Sequence, residues 1–167
     1  MHKRALLLDW GGTLMRTMPR WMGPGHGWTV EEPVPHVAEV LQQLAASWRL
    51  CLATNAGESD DDAMRACLDT AGIGHLFCGF YTWGKAHAPK PWAPFWQYAL
   101  RDLELAPEQV VMVGDDWMAD VWGARQVGMY GVWFAPGARE PREEPGVRTM
   151  RDFRELPAIL RDMGFDS

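Results

Sequence analysis

Short apolar runs alternate with helical patterns along this 167-residue chain, and that alternation constrains its fold more than any other feature. The helical patterns keep apolar residues three or four positions apart, and each lies beyond one of the runs. Strands that alternate with helices of these lengths are typical of a parallel sheet with helices on both faces. We therefore predict an α/β fold, doubly wound and Rossmann-like, with five strands at 5–9, 48–54, 78–82, 110–113 and 130–134.

The chain is expected to form one domain over residues 1–167. Its length is sufficient for a sizeable core, and 47% of its residues are hydrophobic, which excludes a disordered chain. Two segments fit neither strand nor helix. A stretch at about 15–32 contains glycines and prolines and follows the first strand, so we predict a short surface flap there. A tail rich in proline, glycine and charge is expected from about 137.

Charge and hydropathy exclude two classes of partner. The formal net charge is −6, and the chain has no long basic run, so nucleic acid is not expected as its main partner. No apolar stretch approaches the roughly 20 residues that cross a bilayer, so no membrane partner is expected either. Three cysteines without metal-ligand spacing, Cys51, Cys67 and Cys78, suit reduced core thiols and predict a cytoplasmic protein.

The first predicted strand is followed directly by a carboxylate and a turn. The apolar residues 5–8 lead into Asp9-Trp10-Gly11-Gly12-Thr13, where the glycine pair forces a sharp turn and lets backbone approach a ligand closely. In open α/β sheets the ligand crevice lies at the carboxyl ends of the strands. Asp9 is therefore a candidate for chemistry.

Three more segments bring polar groups to the same edge of the predicted sheet. Thr54 and Asn55 end the second strand, where a hydroxyl and backbone N–H groups can hold an anion. Lys90, one of only three lysines, stands between two prolines at a helix start. Asp115 follows the fourth strand, and Asp120 comes five residues later. Carboxylates from two strand ends predict a Mg²⁺ site, while Thr54, Asn55 and Lys90 are expected to bind phosphate.

With these four motifs the chain resembles the haloacid dehalogenase superfamily of aspartate-nucleophile hydrolases. The resemblance covers roughly residues 4–136. Its motifs match Asp9 to Thr13, then Thr54, then Lys90 within Ala88-Pro89-Lys90-Pro91, and finally Gly114-Asp115 through Asp120. One such motif is weak evidence, but four in this order, each at a predicted strand end or helix start, form a specific pattern.

The resemblance implies a phosphatase mechanism and a metal. Asp9 would attack phosphorus and form an aspartyl-phosphate that water then hydrolyses. Mg²⁺ would be held by the Asp9 carboxylate, the Gly11 carbonyl and the Asp115 carboxylate, with Asp120 supporting it through water or through Lys90. Thr54 would bind a phosphoryl oxygen of a phosphorylated substrate, and Lys90 would neutralise charge on Asp9 and the phosphoryl group.

One position departs from the family pattern. Most phosphatases of the family carry a second aspartate two residues after the nucleophile, where it protonates the leaving group, and this chain has Gly11 there. Three interpretations follow. His26 in the flap could replace the missing acid, or the leaving group could need no proton, as in an acyl phosphate. Alternatively the protein is a non-catalytic or nearly inactive scaffold that binds phosphate or a partner.

The spacing of the motifs leaves no room for a separate cap domain. About 18 residues follow the Asp9 turn before the next helix, and 36 separate Thr54 from Lys90. Relatives that cleave carbon–phosphorus or carbon–halogen bonds also lack the second aspartate, which makes such a hydrolase a second alternative. Phosphonate cleavage in the family needs a cap lysine, however, and the flap has none. A capless site is open, so it admits large substrates, or a second copy of the chain in a homo-oligomer could cover it.

Overall fold

The computed structural model describes residues 2–21, 27–57 and 60–166, and for residues 17–21 and 27–30 it describes the backbone alone. Six strands form one sheet and two form a hairpin. In chain order they are β1 (Ala5–Leu8), β2 (Met15–Trp21), β3 (Gly27–Pro33), β4 (Arg49–Thr54), β5 (Phe77–Thr82), β6 (Val110–Gly114), β7 (Tyr130–Phe134) and β8 (Val147–Met150).

The main sheet has the order β5-β4-β1-β6-β7-β8, and every neighbouring pair is parallel. The α/β class and the parallel arrangement are confirmed, but the predicted count of five strands is wrong by one. The strand missed in this sheet is β8, which lies at the sheet edge within the predicted tail. Three of its four residues are buried, but Arg148 and Thr149 interrupt the apolar sequence, so no continuous apolar run marks it.

Helices connect the strands and cover both faces of the sheet. Their bounds are α1 (Val37–Leu44), α2 (Asp61–Asp69), α3 (Trp83–Ala86), α4 (Ala93–Leu103), α5 (Gly123–Gln126) and α6 (Leu156–Asp162). A π-helical turn at Trp117–Trp122 directly precedes α5. Pro157 lies in the first turn of α6, where its missing N–H costs nothing.

Alternate side chains of each central strand enter opposite cores. In β1, Leu6 and Leu8 pack on the side of α1, α2 and α6, while Ala5 and Leu7 pack with α4 and α5. All four side chains are fully buried. Because a strand side chain changes face at every residue, a continuous apolar run is what a strand covered on both faces requires.

The predicted flap contains the hairpin formed by β2 and β3, which pair antiparallel from Met15 with Pro33 to Trp21 with Gly27. Within the described ranges no separate cap domain stands over the sheet edge. Among the helices of those ranges, none combines the length and the hydropathy that crossing a bilayer would require.

Candidate active site

The carboxyl end of β1 lies at the point where the chain reverses its direction across the sheet. Strand β4 flanks β1 on one side and β6 flanks it on the other, so the crevice between their ends is open to a ligand. The Asp9 N–H donates to the Val113 carbonyl at 3.1 Å, which extends the β1–β6 ladder by one residue. Asp9 therefore leaves the sheet in a defined position at its centre.

Lys90 joins two of the predicted carboxylates. Its Nζ donates to Asp9 Oδ1 at 3.0 Å, to Asp120 Oδ1 at 2.6 Å and to the Ala53 carbonyl at 2.9 Å. These three acceptors use all three N–H bonds of the ammonium. Burial alone lowers the pKa of Lys90, but Asp120 and Asp9 more than offset that effect and raise its pKa above the ordinary value. Lys90 is thus a buried, fully bonded cation beside Asp9.

Asn55 holds the backbone on which Lys90 stands. Its Oδ1 accepts from the Lys90 N–H at 2.7 Å, and its Nδ2 donates to the Lys90 carbonyl at 3.1 Å. The Asn55 side chain therefore fastens the loop after β4 to the Lys90 segment. Phosphate binding by the backbone N–H of Asn55 stays a prediction.

Asp120 is completely buried and is held from two sides. While Oδ1 accepts from Lys90, Oδ2 accepts from the Asp116 N–H at 3.2 Å. A Cβ on Gly114 would lie 2.1 Å from Asp120 Oδ2, so only glycine leaves room for the carboxylate there. Burial raises the pKa of Asp120, and the Lys90 ammonium opposes that rise. Asp116 itself accepts from the Ala119 N–H at 2.9 Å and is the N-cap of the π-helical turn.

Asp115 lies across the crevice in a second set of contacts. Its Oδ1 accepts from the Thr13 hydroxyl at 3.3 Å, and its backbone carbonyl accepts from Trp133 Nε1 at 3.0 Å. Gly12 passes close to it with a φ of +78°, and a Cβ at that position would lie 2.3 Å from Asp115 Oδ2. Burial first, and then the neighbouring Asp9 carboxylate, raise the pKa of Asp115 above its ordinary value.

The three carboxylates form one acidic cluster that fits a hard divalent cation. Asp9, Asp115 and Asp120 each offer an oxygen, and these oxygens all lie within 4.8 Å of one another. Three carboxylates face the single ammonium of Lys90, so the cluster keeps excess negative charge. Mg²⁺ prefers a few carboxylate oxygens and retains several waters. This set of carboxylate donors therefore suits Mg²⁺.

Thr54 ends β4, the strand beside β1. Because Leu8 pairs with Leu52, the ends of β1 and β4 leave the sheet side by side. The Thr54 hydroxyl oxygen accepts from the Ala56 N–H at 3.2 Å, and the hydroxyl keeps its own hydrogen to donate. The structure thus gathers Asp9, Lys90, Asp115 and Asp120 directly and sets Thr54 at the adjoining strand end.

Gly11 and His26 are the remaining predicted site residues. Gly11 is exposed in the turn after Asp9, and a Cβ built on it would meet no atom within 4 Å. The position that lacks the second aspartate therefore has space for one. His26, the predicted substitute acid, lies outside the described residues.

Several residues that shape the site were missed by sequence reasoning. Thr13 anchors Asp115, the Ala53 carbonyl accepts from Lys90, and Gly114 makes room for Asp120. Thr13 and Gly114 stood within the recognised motifs, so their position was a signal even though their contacts were not. The Ala53 carbonyl belongs to the backbone and carries no sequence signal. Among the three cysteines, Cys51 is buried as expected, but Cys67 and Cys78 are exposed.

Solved structures share this architecture. An uncharacterised protein from Listeria monocytogenes serotype 4b superposes with a TM-score of 0.76 over 96% of this chain and 98% of that one, at 20% identity, which speaks for the fold alone. A HAD phosphatase from Thermococcus onnurineus is 27% identical, with a TM-score of 0.67 over 78% of this chain and 59% of its own.

Similar curated sequences include phosphatases. The chain is 44% identical over 73 residues to a phospholysine phosphohistidine inorganic pyrophosphate phosphatase from Danio rerio, and 36% identical over 97 residues to a phosphoserine phosphatase from Thermus thermophilus. These matches cover 42% and 57% of this chain but only 27% and 39% of the relatives' own lengths. Residues 25–128 match the family described as haloacid dehalogenase-like hydrolase, which is more than half of the chain. On that match and on the shared architecture, the chain belongs to the haloacid dehalogenase-like hydrolase family.

Proposed function

We propose that this hydrolase is a Mg²⁺-dependent phosphatase that works through an aspartyl-phosphate on Asp9. The observation that carries the proposal is the position of the Asp9 carboxylate, 3.0 Å from the buried ammonium of Lys90 and within the acidic cluster. The Lys90 ammonium orients this carboxylate through a hydrogen bond and offsets charge beside it, which suits a carboxylate nucleophile. The phosphatases among the similar sequences support the same reaction class.

Each residue has its own role in the first step, the transfer of the phosphoryl group to Asp9. An Asp9 oxygen forms a bond to phosphorus while the bond between phosphorus and the leaving-group oxygen breaks. Lys90 offsets the charge that collects between Asp9 and the phosphoryl oxygens, and the Thr54 hydroxyl donates to one of those oxygens. Asp9 and Asp115, with the Gly11 carbonyl, would hold Mg²⁺, while Asp120 supports the site through Lys90. The ion, when bound, supplies Lewis-acid stabilisation of phosphoryl charge.

Water completes the reaction cycle, and this step would also use the acid–base group that position 11 lacks. Water attacks the aspartyl-phosphate, releases phosphate and restores Asp9. A positioned acid–base group contributes on the order of 10²- to 10⁴-fold to such proton transfers. Because Gly11 supplies none, we expect good turnover only of phosphates whose leaving groups need no proton, such as acyl and acidic aryl phosphates.

Turnover of 4-nitrophenyl phosphate and acetyl phosphate, with and without Mg²⁺, tests the proposal. The matched control is Asp9→Asn, which keeps the shape of the side chain and removes the nucleophile. We expect hydrolysis that needs both Asp9 and Mg²⁺, and a phosphoryl group on the peptide that contains Asp9 after acid quenching. Equal traces in the two proteins would favour the second candidate, a phosphate- or partner-binding scaffold, which the glycine at position 11 specifically supports.

A further inference from the structure

A cleft of about 200 Å³ opens directly beside the predicted phosphate site. The residue after the nucleophile, the end of β4, helix α2 and the hairpin all contribute to its walls. Its lining includes Trp10, Glu31, Leu52, Thr54, Ala63 and Met64.

The cleft is continuous with the site of chemistry. Thr54 belongs to both, since it lines the cleft and would donate to a phosphoryl oxygen. Trp10, next to Asp9, lines the cleft together with Thr54. A phosphate ester bound between Asp9 and Thr54 therefore has this cleft next to its phosphorus. The inference drawn from this position rests on the proposed phosphatase function.

The walls indicate what kind of group the cleft accepts. Leu52 and Met64 are buried and apolar, and the Trp10 ring adds an aromatic surface. An apolar cavity of about 150 Å³ accepts a benzene ring, so 200 Å³ is enough for one six-membered ring with a small substituent. Among the lining residues that the structure describes, Glu31 alone carries a charge, and it is negative.

We propose that this cleft is the leaving-group subsite, and that it selects phosphate monoesters with a single aromatic or apolar ring bearing a positively charged substituent. The ring packs against Leu52, Met64 and Trp10, and the cation faces Glu31. The leaving group, held here, points its bridging oxygen back toward Asp9. The selectivity of this capless chain thus resides in α2 and the hairpin.

Phosphonates test the subsite without any turnover, so a failure of hydrolysis cannot be confused with a failure of this inference. Binding of benzylphosphonate and of methylphosphonate is measured by calorimetry in Mg²⁺. We expect the benzyl compound to bind about tenfold more tightly, as burial of a ring implies. Ala63→Phe fills the cleft and abolishes that difference while methylphosphonate binding stays the same.

Ala66→Phe is the matched control, because Ala66 is also exposed on α2 but does not line the cleft. It keeps the tenfold difference. A second comparison uses 4-(aminomethyl)benzylphosphonate and 4-carboxybenzylphosphonate. Wild type prefers the cation by about threefold or more, and Glu31→Gln removes the preference. Equal binding of benzyl- and methylphosphonate by wild type, no binding of either, or an unchanged preference in Ala63→Phe would each overturn the subsite.

If these binding results hold while Asp9-dependent hydrolysis is missing, the subsite stands and the phosphatase proposal fails. The protein would then be a binding scaffold for ring-bearing phosphates. If hydrolysis is present but the ring confers no affinity, the phosphatase stands and the subsite fails.

Discussion

Lys90 and Asp120 form an ion pair in which 3% of one side chain and none of the other reaches solvent, with Nζ 2.6 Å from Oδ1. The pair connects the segment between α3 and α4 with the π-helical turn after β6. Removing one partner of a buried pair leaves the other charge uncompensated, which costs far more than losing a surface pair. The same ion pair therefore supports the fold and fixes the lysine that contacts Asp9.

Breaking this pair is expected to destabilise the protein strongly. Lys90→Met should lower the free energy of unfolding by about 3–5 kcal/mol, because it leaves Asp120 buried without its cation. The exposed pair of Lys85 with Asp61 offers the control, and Lys85→Met should cost about 1 kcal/mol or less. Urea denaturation measures both. Adding Asp120→Asn to Lys90→Met should cost less than the two single changes summed, whereas strict additivity would contradict a direct coupling.

Neutralising Asp115 should separate metal binding from intrinsic stability. In Asp115→Asn the Thr13 hydroxyl keeps an oxygen acceptor, but the repulsion between Asp115 and Asp9 is gone. Without metal, the variant should be as stable as wild type or more stable by less than about 1 kcal/mol, since solvent screens the charges. Saturating Mg²⁺, at about 100 times its Kd, should stabilise wild type by about 2.7 kcal/mol and the variant much less. Thermal melting in EDTA and in Mg²⁺ gives both values, and equal stabilisation of the two proteins would remove Asp115 from the metal site.

An aspartate restored at position 11 should recover general acid catalysis. A side chain there meets no atom within 4 Å at its Cβ, so Gly11→Asp should fold normally. We expect hydrolysis of alkyl phosphates, whose leaving groups need a proton, to rise by about tenfold or more, and aryl phosphates to gain less. Steady-state rates for a matched alkyl and aryl pair decide the question.

The neighbouring glycine provides the contrast for that experiment. Gly12→Ala adds a single methyl group at a φ of +78°, where it would lie 2.3 Å from Asp115 Oδ2. This smaller change should cost about 1–2 kcal/mol of stability and weaken Mg²⁺ binding. A rise in alkyl phosphate turnover in both variants would show that flexibility of the turn, and not the new carboxyl group, was responsible.

Cys78 should react as a thiolate at neutral pH. A contact from the Cys51 thiol, with the sulfur atoms 3.7 Å apart, and the nearby Arg49 lower the pKa of Cys78 to about 6, although partial burial opposes them. Below that pH the thiol is protonated and unreactive, so alkylation should rise through pH 6 and level off by neutrality. The rate of iodoacetamide labelling in a Cys67→Ser background measures this profile. Cys51→Ala should move the profile to higher pH, and an unchanged profile would exclude the contact as the cause.

Much of the architecture could be predicted because its signals are local. The apolar run at 5–8 indicates that β1 is buried on both faces, and the glycines after Asp9 indicate a turn. Since parallel strands end at one edge, motifs at their carboxyl ends had to converge there, and Asp9, Lys90, Asp115 and Asp120 do so. Strand β8 was not predicted, because its four residues at the sheet edge have mixed polarity and form too weak a pattern.

The amino-acid sequence alone was enough to predict an α/β sheet with acidic residues at one edge, because both features depend on patterns within short segments. Three features could be seen only in the folded molecule. They are the two hydrogen bonds between the Asn55 side-chain amide and the Lys90 backbone, the empty space at Gly11 and the cleft beside Thr54. Each arises where segments tens of residues apart come into contact. A linear pattern can indicate that such segments meet, but the space and the hydrogen-bond partners left between them are set only by how the whole chain packs.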